Sequence, residues 1–439
     1  MDKKALSLPL LISLVVGNMI GTGIYVLPAS LASYGSLSLL SWILTSAGAL
    51  FLALTFASLN RRFTKTGGPY IYCKEAFGRL AGFLVAYLYW ISNLVSIAGI
   101  AVSSVSYLGF IIPSFNSSTH AYNFNVVLLT ELALIWLFTF INLVGIHTAG
   151  IVQLFLTLIK ITPLLLIIIV GLSYIHIDNL TVMIPQYTHT MSNISAAAAL
   201  TFWAFIGLEA ATIPAENTSG SRDIFKATVY GTLITSLIYI LCTIVVMGII
   251  PNSALKISPS PLADVASFLF GPHAAFLIAV CAVISGLGAL NVCILIQGQI
   301  VFAAARDRLF PQQFAILTKH DVPIWGQLLS SIMVSVFLIA TMQSSLLKQF
   351  AHIALLAALL TLATYLAVTL AEIKFILIEK KSFYKIFSSK SIYFVLLASL
   401  YSIWMISSLE NTIIMLGCIL ILCCIPFYFL TYKNNKPMI

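Results

Sequence analysis

Three ionisable residues fall well inside apolar stretches long enough to cross a membrane: Glu131, Lys160 and Glu209. A charge within a bilayer is costly unless it faces a partner or a water-filled cavity, so such residues are candidates for function. Burial disfavours the charged form of an amine or a carboxyl, which enables both groups to exchange a proton. The sequence therefore predicts Lys160 and Glu209 as the proton-coupling residues. Glu131, nearer the end of its stretch, is interpreted as a structural partner or a vestibule residue.

Lys160 and Glu209 also have purely structural interpretations. Lys160 lies too deep in its stretch for its side chain to reach the membrane surface, so it must face protein or water. Its ammonium group would then form a permanent salt bridge instead of carrying a proton. Glu209 would be a brace that accepts hydrogen bonds from freed backbone amides. The sequence leaves these alternatives open.

Two glycine-containing segments interrupt apolar stretches that would otherwise be continuous membrane helices. Gly17–Gly23 reads GNMIGTG and lies in the first stretch, and Phe205–Glu209 reads FIGLE and lies in the sixth. Glycine weakens a helix, and unpaired backbone groups at membrane depth are tolerated only where they line an enclosed cavity. We therefore expect the two breaks to form a binding site at the membrane midplane. Close helix packing at Gly17 and Gly21 is the alternative explanation for the first break.

Composition identifies the chain as an integral membrane protein. Its 439 residues are 60% hydrophobic and only 8% charged, outside the range of soluble globular domains. Twelve apolar stretches are predicted to span the membrane, with centres near residues 20, 48, 93, 135, 162, 203, 238, 287, 334, 360, 399 and 421.

The distribution of charge predicts the orientation of the chain. All but three of the 22 Lys and Arg residues fall in the termini or in connections on one side, which predicts that both termini are cytoplasmic. The net charge of +9 is explained by these loops, which face an anionic leaflet. Nucleic-acid binding is therefore not expected. The expected location is the inner or plasma membrane, and the lipid bilayer is an expected partner.

The spacing of the two breaks predicts an internal repeat. The second break lies five stretches after the first, and an odd offset makes the two halves antiparallel in the membrane. Paired broken helices are typical of transporters built from inverted repeats. We predict an all-α fold with a single membrane transport domain over residues 1–439. The first repeat covers 7–173, the second covers 194–376, and two additional helices occupy 391–432.

Other residue types give no indication of catalysis, a cofactor or a metal site. The seven cysteines lack metal-ligand spacing and fall mostly in apolar stretches, so they are interpreted as packing residues. Acylation of the adjacent Cys423 and Cys424 is the alternative. The sequence shows no cluster of His, Asp, Cys or Ser at catalytic spacing, which argues against a membrane-embedded enzyme.

Three motifs resemble the amino acid/polyamine/organocation permeases. They are GNMIGTG at 17–23, GGPY at 67–70 followed by Phe77-Gly78, and FWAFIGLE at 202–209. The similarity extends from the first stretch to the tenth and is closest to the basic amino acid/polyamine antiporter branch that contains the bacterial arginine/agmatine antiporters. The resemblance implies alternating access, in which substrate binds at the midplane and two helix bundles rock around it. It leaves a homodimer open.

The resemblance also implies which residues contact the substrate. Backbone amides at Thr22 and Gly23 would hold its carboxylate, in accord with the positive partial charge of a half-helix N-terminus. Carbonyls of residues at the two breaks would receive its α-ammonium group: Met19, Trp203 and Ile206. Trp203 would also close over the substrate, unless it is a packing aromatic. The remaining pocket or gate positions are Asn18, Tyr89, Asn93, Glu209 and Tyr365.

Two departures from the arginine/agmatine exchangers direct the functional hypothesis. Cys293 replaces a tryptophan, which removes an aromatic face for a guanidinium group and favours neutral or modest-sized substrates. Those exchangers lack a lysine at the position of Lys160, whereas proton-coupled permeases of the same superfamily resemble this chain at that position. We therefore expect proton-coupled amino acid uptake, with protons as the coupling partner. The alternative is obligate exchange of a cationic amino acid for its amine product.

Overall fold

The computed structural model describes residues 7–63, 68–112, 124–144, 149–181, 190–212, 221–318, 322–343, 345–380 and 390–434. Regular secondary structure in these ranges is helical throughout. The helices before the second break are α1 (Leu8–Met19), α2 (Gly23–Leu31), α3 (Leu37–Arg62), α4 (Pro69–Phe77), α5 (Arg79–Ile111), α6 (Phe124–Val144), α7 (Ala149–Gly171), α8 (Ile177–Leu180) and α9 (Thr190–Phe202). Those after it are α10 (Ser221–Ile249), α11 (Asn252–Leu255), α12 (Pro261–Phe270), α13 (Pro272–Arg306), α14 (Ile324–Ala340), α15 (Leu346–Lys380), α16 (Lys390–Ser407), α17 (Asn411–Leu422) and α18 (Cys424–Asn434).

The apolar helices agree with the predicted spans. Nine helical segments of the described chain are long and apolar enough to cross a membrane, and the bent pair α1–α2 makes up to ten. Shorter apolar helices include α14 and the Ser391–Ser407 part of α16. Eleven of the twelve predicted span centres fall within one of these segments, and the centre near residue 20 lies in the break of the bent pair. The all-α class is therefore confirmed for the described residues, while the count of twelve, the repeat boundaries and the orientation of the termini stay predictions.

α5 is the central helix of the bundle and packs against α4, α13, α14 and α15. Its sequence is apolar on every side and rich in Ser, Gly and Ala, which suits a helix surrounded by other helices. In its most apolar window 83% of the residues are buried, against 28% for α6. α5 therefore forms the core, and α6 lies at the periphery of the bundle with most of its surface exposed.

The first break is shorter than the sequence predicts. Only Ile20–Thr22 leaves the helix, and the axis bends by 43° between α1 and α2. Gly17 and Met19 remain in α1, which closes with a hydrogen bond from the Ile20 amide to the Val16 carbonyl at 2.8 Å. Glycine permits unwinding without requiring it, so the helix continues for as long as its backbone groups find partners.

The second break lies where the sequence predicts it. α9 ends at Phe202, a 3₁₀ turn covers Trp203–Phe205, and a second 3₁₀ turn covers Ala210–Thr212. Between the turns Gly207 has a φ of 100°, a left-handed conformation that strongly favours glycine. The Asn18 side-chain amide lies 3.5 Å from the Gly207 carbonyl oxygen, so the two breaks are neighbours.

Basic residues gather where α3, α4, α5, α13 and α15 meet, a region that we call the basic end. There Lys74 Nζ on α4 lies 2.7 Å from Asp307 Oδ2, just beyond α13. The Arg79 guanidinium donates to the Arg308 carbonyl at 2.7 Å. Arg62 on α3 forms an ion pair of 3.2 Å with the buried Glu372 of α15. These contacts hold α4 and the start of α5 against α13, and α3 against α15.

At the opposite end of α5 the short helix α12 packs against α2 and α13. The Tyr107 hydroxyl donates to the Tyr25 carbonyl at 2.6 Å and accepts a hydrogen bond from the Leu262 amide at 3.3 Å. The carboxylate of Asp264 accepts a hydrogen bond from the Ser258 hydroxyl. Tyr107 therefore connects the N-terminal turn of α12 to α2, the second half of the broken first span.

Candidate substrate site

The two breaks border a cavity of about 60 Å³ between α1, α2, α5, α13 and the sixth span. Most of the predicted site residues line it: Asn18, Met19, Thr22, Gly23, Tyr89, Asn93, Trp203, Ile206, Glu209 and Cys293. Small and polar residues complete the wall, among them Ser92 and Ser96. The structure thus brings the predicted substrate-binding residues into one cavity, and their role in binding stays a prediction.

One wall of the cavity is the N-terminus of α2, which begins at Gly23. A helix N-terminus carries a positive partial charge and free amides, which suits a carboxylate. Thr22 is fully buried, and its hydroxyl is hydrogen-bonded to the Ser103 hydroxyl of α5. A Cβ atom added at Gly23 would lie 2.7 Å from Trp203 Nε1, so only glycine lets the indole pack on this backbone.

Trp203 borders the cavity and is also packed in the core of the bundle. Its ring lies against Gly23 and Gly99, where an added Cβ atom would approach within 2.7 Å. It also makes an edge-to-face contact with Phe350, with 5.8 Å between ring centroids. The indole therefore joins α2, α5 and α15, and its residue also borders the cavity. A movement of α2 would displace it.

The unwound carbonyls that are predicted to receive an ammonium group already accept hydrogen bonds. The Met19 carbonyl accepts from the Gly21 amide at 3.0 Å and from the Tyr239 hydroxyl at 2.6 Å. The same hydroxyl lies 3.1 Å from the Ala204 carbonyl, and the Trp203 carbonyl accepts from the Ile206 amide at 3.2 Å. Since each carbonyl oxygen has two lone pairs, the Trp203 carbonyl retains capacity to accept one more hydrogen bond, whereas both lone pairs of the Met19 carbonyl are already used.

Glu209 contributes a carboxylate to the cavity wall. Its side chain is buried and accepts a hydrogen bond from the Tyr89 hydroxyl at 2.8 Å and another from the Tyr365 hydroxyl. Tyr365 therefore reaches the site through Glu209. Among the described residues that line the cavity, Glu209 is the only one with an ionisable carboxyl or amine. Its negative charge would favour a cationic ligand.

Lys160 lies behind the first break and outside the cavity lining. Its side chain is buried, and Nζ lies 3.3 Å from the Gly17 carbonyl oxygen. Within the described part of the chain its hydrogen-bond partner is this carbonyl, and no carboxylate lies within ion-pair distance. The permanent salt bridge considered from the sequence is therefore not formed among these residues. Lys160 links α7 to α1 through a neutral acceptor.

Glu131 lies on α6, away from the cavity lining. Its side chain is buried, and one of its carboxylate oxygens has no hydrogen-bond partner in the described ranges. The residue makes no contribution to the described cavity, in agreement with its exclusion from the predicted site.

A comparison with protein families decides what kind of protein this is. The family model for amino acid permeases matches residues 6–437. The chain belongs to the amino acid permease family. The permease is 33% identical over 353 residues to the arginine/ornithine antiporter of Pseudomonas aeruginosa, an alignment that covers 78% of this chain and 72% of that protein.

Two relatives from Escherichia coli extend the comparison. The cadaverine/lysine antiporter is 31% identical over 345 residues, which are 75% of the permease and 74% of the relative. The putrescine transporter PotE is 30% identical over 360 residues, 80% of each chain. The predicted membership of the basic amino acid/polyamine antiporter branch is thus confirmed. The permease is a multi-pass membrane transporter and not an enzyme.

Sequence reasoning missed two residues that support the cavity. Tyr239 of α10 reaches carbonyls beside both breaks, and Gln297 of α13 contacts the side chain of Asn93. Each is a polar group inside an apolar stretch, and such a group must find a partner. That signal was present in the sequence, but the partner lies on a distant helix and only the fold identifies it.

Proposed function

We propose that this permease is an antiporter that exchanges a basic amino acid for a related amine by alternating access. The observation that carries the proposal is the position of Glu209. Its carboxylate is part of a cavity whose other described polar groups are neutral side chains and backbone. In an amino acid with a second amino group, the charges of the α-ammonium and α-carboxylate groups cancel. The second ammonium group then gives the molecule one net positive charge. Glu209 would compensate that charge within the membrane.

The two ends of the cavity suggest how such a substrate is oriented. The α-carboxylate would accept hydrogen bonds from the amides at Thr22 and Gly23, at the start of α2. The α-ammonium group would donate to the unwound carbonyls of Trp203 and Ile206, because the Met19 carbonyl already accepts two hydrogen bonds. The side chain would then extend between α5 and α13, along Asn93 and Cys293. An amine lacking the carboxylate would retain every contact except those with α2, which suits a product exchanged for its parent amino acid.

Relatives support exchange over the proton-coupled uptake that the sequence favoured. Those from Pseudomonas aeruginosa and Escherichia coli are antiporters of arginine and ornithine and of cadaverine and lysine, respectively. Proton-coupled uptake is the second candidate. The contact between Lys160 Nζ and the Gly17 carbonyl favours it, because a change in protonation there would alter a bond to the first break.

Cys293 indicates which basic group fits. A thiol offers no aromatic face, and planar guanidinium groups gain affinity by stacking on such faces. We infer that linear amines, as in lysine or ornithine, bind in preference to arginine. The cycle would take place in the inner membrane with both termini in the cytoplasm, and the halves 7–173 and 194–376 would rock around the site.

Transport by purified permease in proteoliposomes tests the proposal. Uptake of labelled lysine is expected to require lysine or cadaverine inside the vesicles and to be negligible in empty vesicles with an imposed pH gradient. Gradient-driven accumulation in empty vesicles would instead establish symport. As a matched variant, Glu209→Gln keeps the size of the side chain and removes its charge. It should weaken competition by lysine more than competition by norleucine, which has the same carbon chain without the terminal amine.

A further inference from the structure

The Asn93 side chain has an orientation that its neighbours determine. Nδ2 of Asn93 lies 3.1 Å from the Cys293 carbonyl oxygen and donates a second hydrogen bond to Gln297 Oε1. A backbone carbonyl oxygen only accepts hydrogen bonds, so the amide nitrogen, and not the amide oxygen, must face α13. The two hydrogens of this amide are then both used.

The oxygen of the same amide is consequently available to a ligand. Asn93 is half-buried in the cavity wall. Both of its side-chain hydrogen bonds in the described part of the chain use nitrogen, which leaves Oδ1 as a free acceptor. At this point the wall therefore presents an acceptor and no donor.

Packing alone does not explain why residue 297 is a glutamine. Its side chain is buried, with 1% of its surface exposed, and its Nε2 has no hydrogen-bond partner among the described residues. An unpaired buried amide destabilises the folded protein, whereas an apolar side chain of the same size would fill the space without that cost. The contact that a glutamine adds is its bond from Asn93.

We propose that Gln297 is a positioning residue for substrate selection, which holds the Asn93 amide so that Oδ1 accepts a hydrogen bond from the far end of the substrate. The substrates selected are those whose side chain ends in an N–H donor, against those of similar length that end in a methyl group or a carboxylate. A buried acceptor left without its donor penalises the wrong ligand, which gives strong discrimination.

This selection differs from that by Glu209. A carboxylate attracts positive charge over several ångströms, whereas a neutral amide oxygen discriminates only when a donor is aligned with it. The inference rests on the proposed function for the identity of the cavity as the substrate site. It adds which side chain reads the end of the substrate, and it names the residue behind that side chain.

Gln327 of α14 provides a matched control. It is buried, its Nε2 is also unpartnered among the described residues, and it borders the same tightly packed region as Gln297 between α5, α6, α13 and α14. Asn93 donates to Gln297 and not to Gln327. Replacing either glutamine by methionine removes one buried amide, but only Gln297→Met removes the bond to Asn93.

The experiment is competition for labelled lysine on purified permease, with unlabelled lysine and norleucine as competitors. Wild type should prefer lysine over norleucine by about tenfold or more, the range of one good hydrogen bond to a charged group. Gln297→Met should reduce this ratio by about fivefold or more, and Gln327→Met should leave it unchanged. Gln297→Glu, which retains an acceptor for Asn93, should keep the preference.

An unchanged ratio in folded Gln297→Met, or an equal loss in Gln327→Met, would overturn the positioning role. If Gln297→Met does not fold, Asn93→Leu tests the same acceptor, and a wild-type ratio in that variant would also overturn the inference. Vesicle exchange separates this result from the proposed function. If Gln297→Met exchanges lysine with an unchanged ratio of lysine to norleucine affinity, the positioning role is wrong and the proposed function stands. If wild-type permease neither binds nor exchanges lysine, both proposals are wrong.

Discussion

The side-chain nitrogen of Lys160 lies 3.3 Å from the carbonyl oxygen of Gly17, and the Lys160 carbonyl accepts a hydrogen bond from the Tyr25 hydroxyl at 3.2 Å. α7 is thus bonded to both halves of the broken first span, to α1 by its side chain and to α2 by its main chain. A hinge motion of α1 relative to α2 must change at least one of these bonds. Lys160 is therefore placed where a proton can affect the motion of the half-helices.

Lys160→Ala removes the only one of these two bonds that depends on protonation. If the permease works by proton-coupled uptake, the second candidate function, the variant should fold and bind or exchange substrate while losing its response to an imposed pH gradient. Lys160→Gln keeps some hydrogen bonding, cannot carry the proton and should behave in the same way. The measurement is the pH profile of uptake into proteoliposomes. A wild-type profile in Lys160→Ala would exclude Lys160 and make Glu209 the better candidate.

Side chains at the glycines of the two breaks should abolish binding while leaving the fold intact. Gly23→Val would push a methyl group into the Trp203 indole, and Gly207→Ala would combine a φ of 100° with a clash against Asn18. Gly271→Ala is the matched control, because Gly271 has a φ of 87° with nothing within 4 Å of an added Cβ atom. Calorimetric titration with lysine should show normal affinity for the control alone. Normal affinity in folded Gly23→Val would rule out the backbone site.

Tyr239→Phe should loosen both breaks at once. The hydroxyl lies 2.6 Å from the Met19 carbonyl and 3.1 Å from the Ala204 carbonyl, so its loss removes a buried hydrogen bond beside both breaks. We expect a loss of about 1–3 kcal/mol of stability and a weaker affinity for substrate. Tyr87→Phe removes a comparable bond, 3.0 Å to the Leu420 carbonyl, away from the cavity. Thermal melting with and without lysine should show a reduced ligand-induced shift only for Tyr239→Phe.

Asp264 of α12, outside the candidate spans, should make stability depend on pH. Burial raises the pKa of its carboxyl above the ordinary value of 3.8, and the hydrogen bond from Ser258 lowers it only in part. Because the folded state then binds the proton more tightly than the unfolded state, this group destabilises the fold at neutral pH. The cost is relieved as the pH falls through the raised pKa. Asp264→Asn should melt at a higher temperature than wild type at pH 7.5 and lose that advantage in acid. Parallel melting curves across pH would contradict this.

Cys293→Trp should change the preference among basic substrates. An indole in the α13 wall would offer a stacking face for a guanidinium group, worth about 0.5–2 kcal/mol. Competition against labelled lysine should shift toward arginine in the variant by several-fold. Wild-type permease that prefers arginine or agmatine to every linear amine would show that Cys293 does not select as we infer.

A site residue could be predicted from the sequence where its role depends on its neighbours in the chain, and not where it depends on a partner on a distant helix. The GNMIGTG segment located the first break, because unpaired backbone at membrane depth has few explanations. The limits of the break depended on bonds such as Ile20 to Val16, which composition does not specify. Gln297 and Tyr239 were not predictable, since their partners Asn93 and Met19 lie about 200 residues away in the chain.

The ion pair between Lys74 and Asp307 at the basic end has an energetic consequence for the transport cycle. Both side chains are about one-third exposed, and ion pairs in contact with water contribute only about 0–1 kcal/mol. Such a contact changes the ratio of two conformations by at most about fivefold. A carrier that must return to its starting state in every cycle needs conformations of nearly equal free energy. Salt screens exposed pairs, so in a cycle that opens the basic end the ionic strength of the solution at this face should tune the turnover rate.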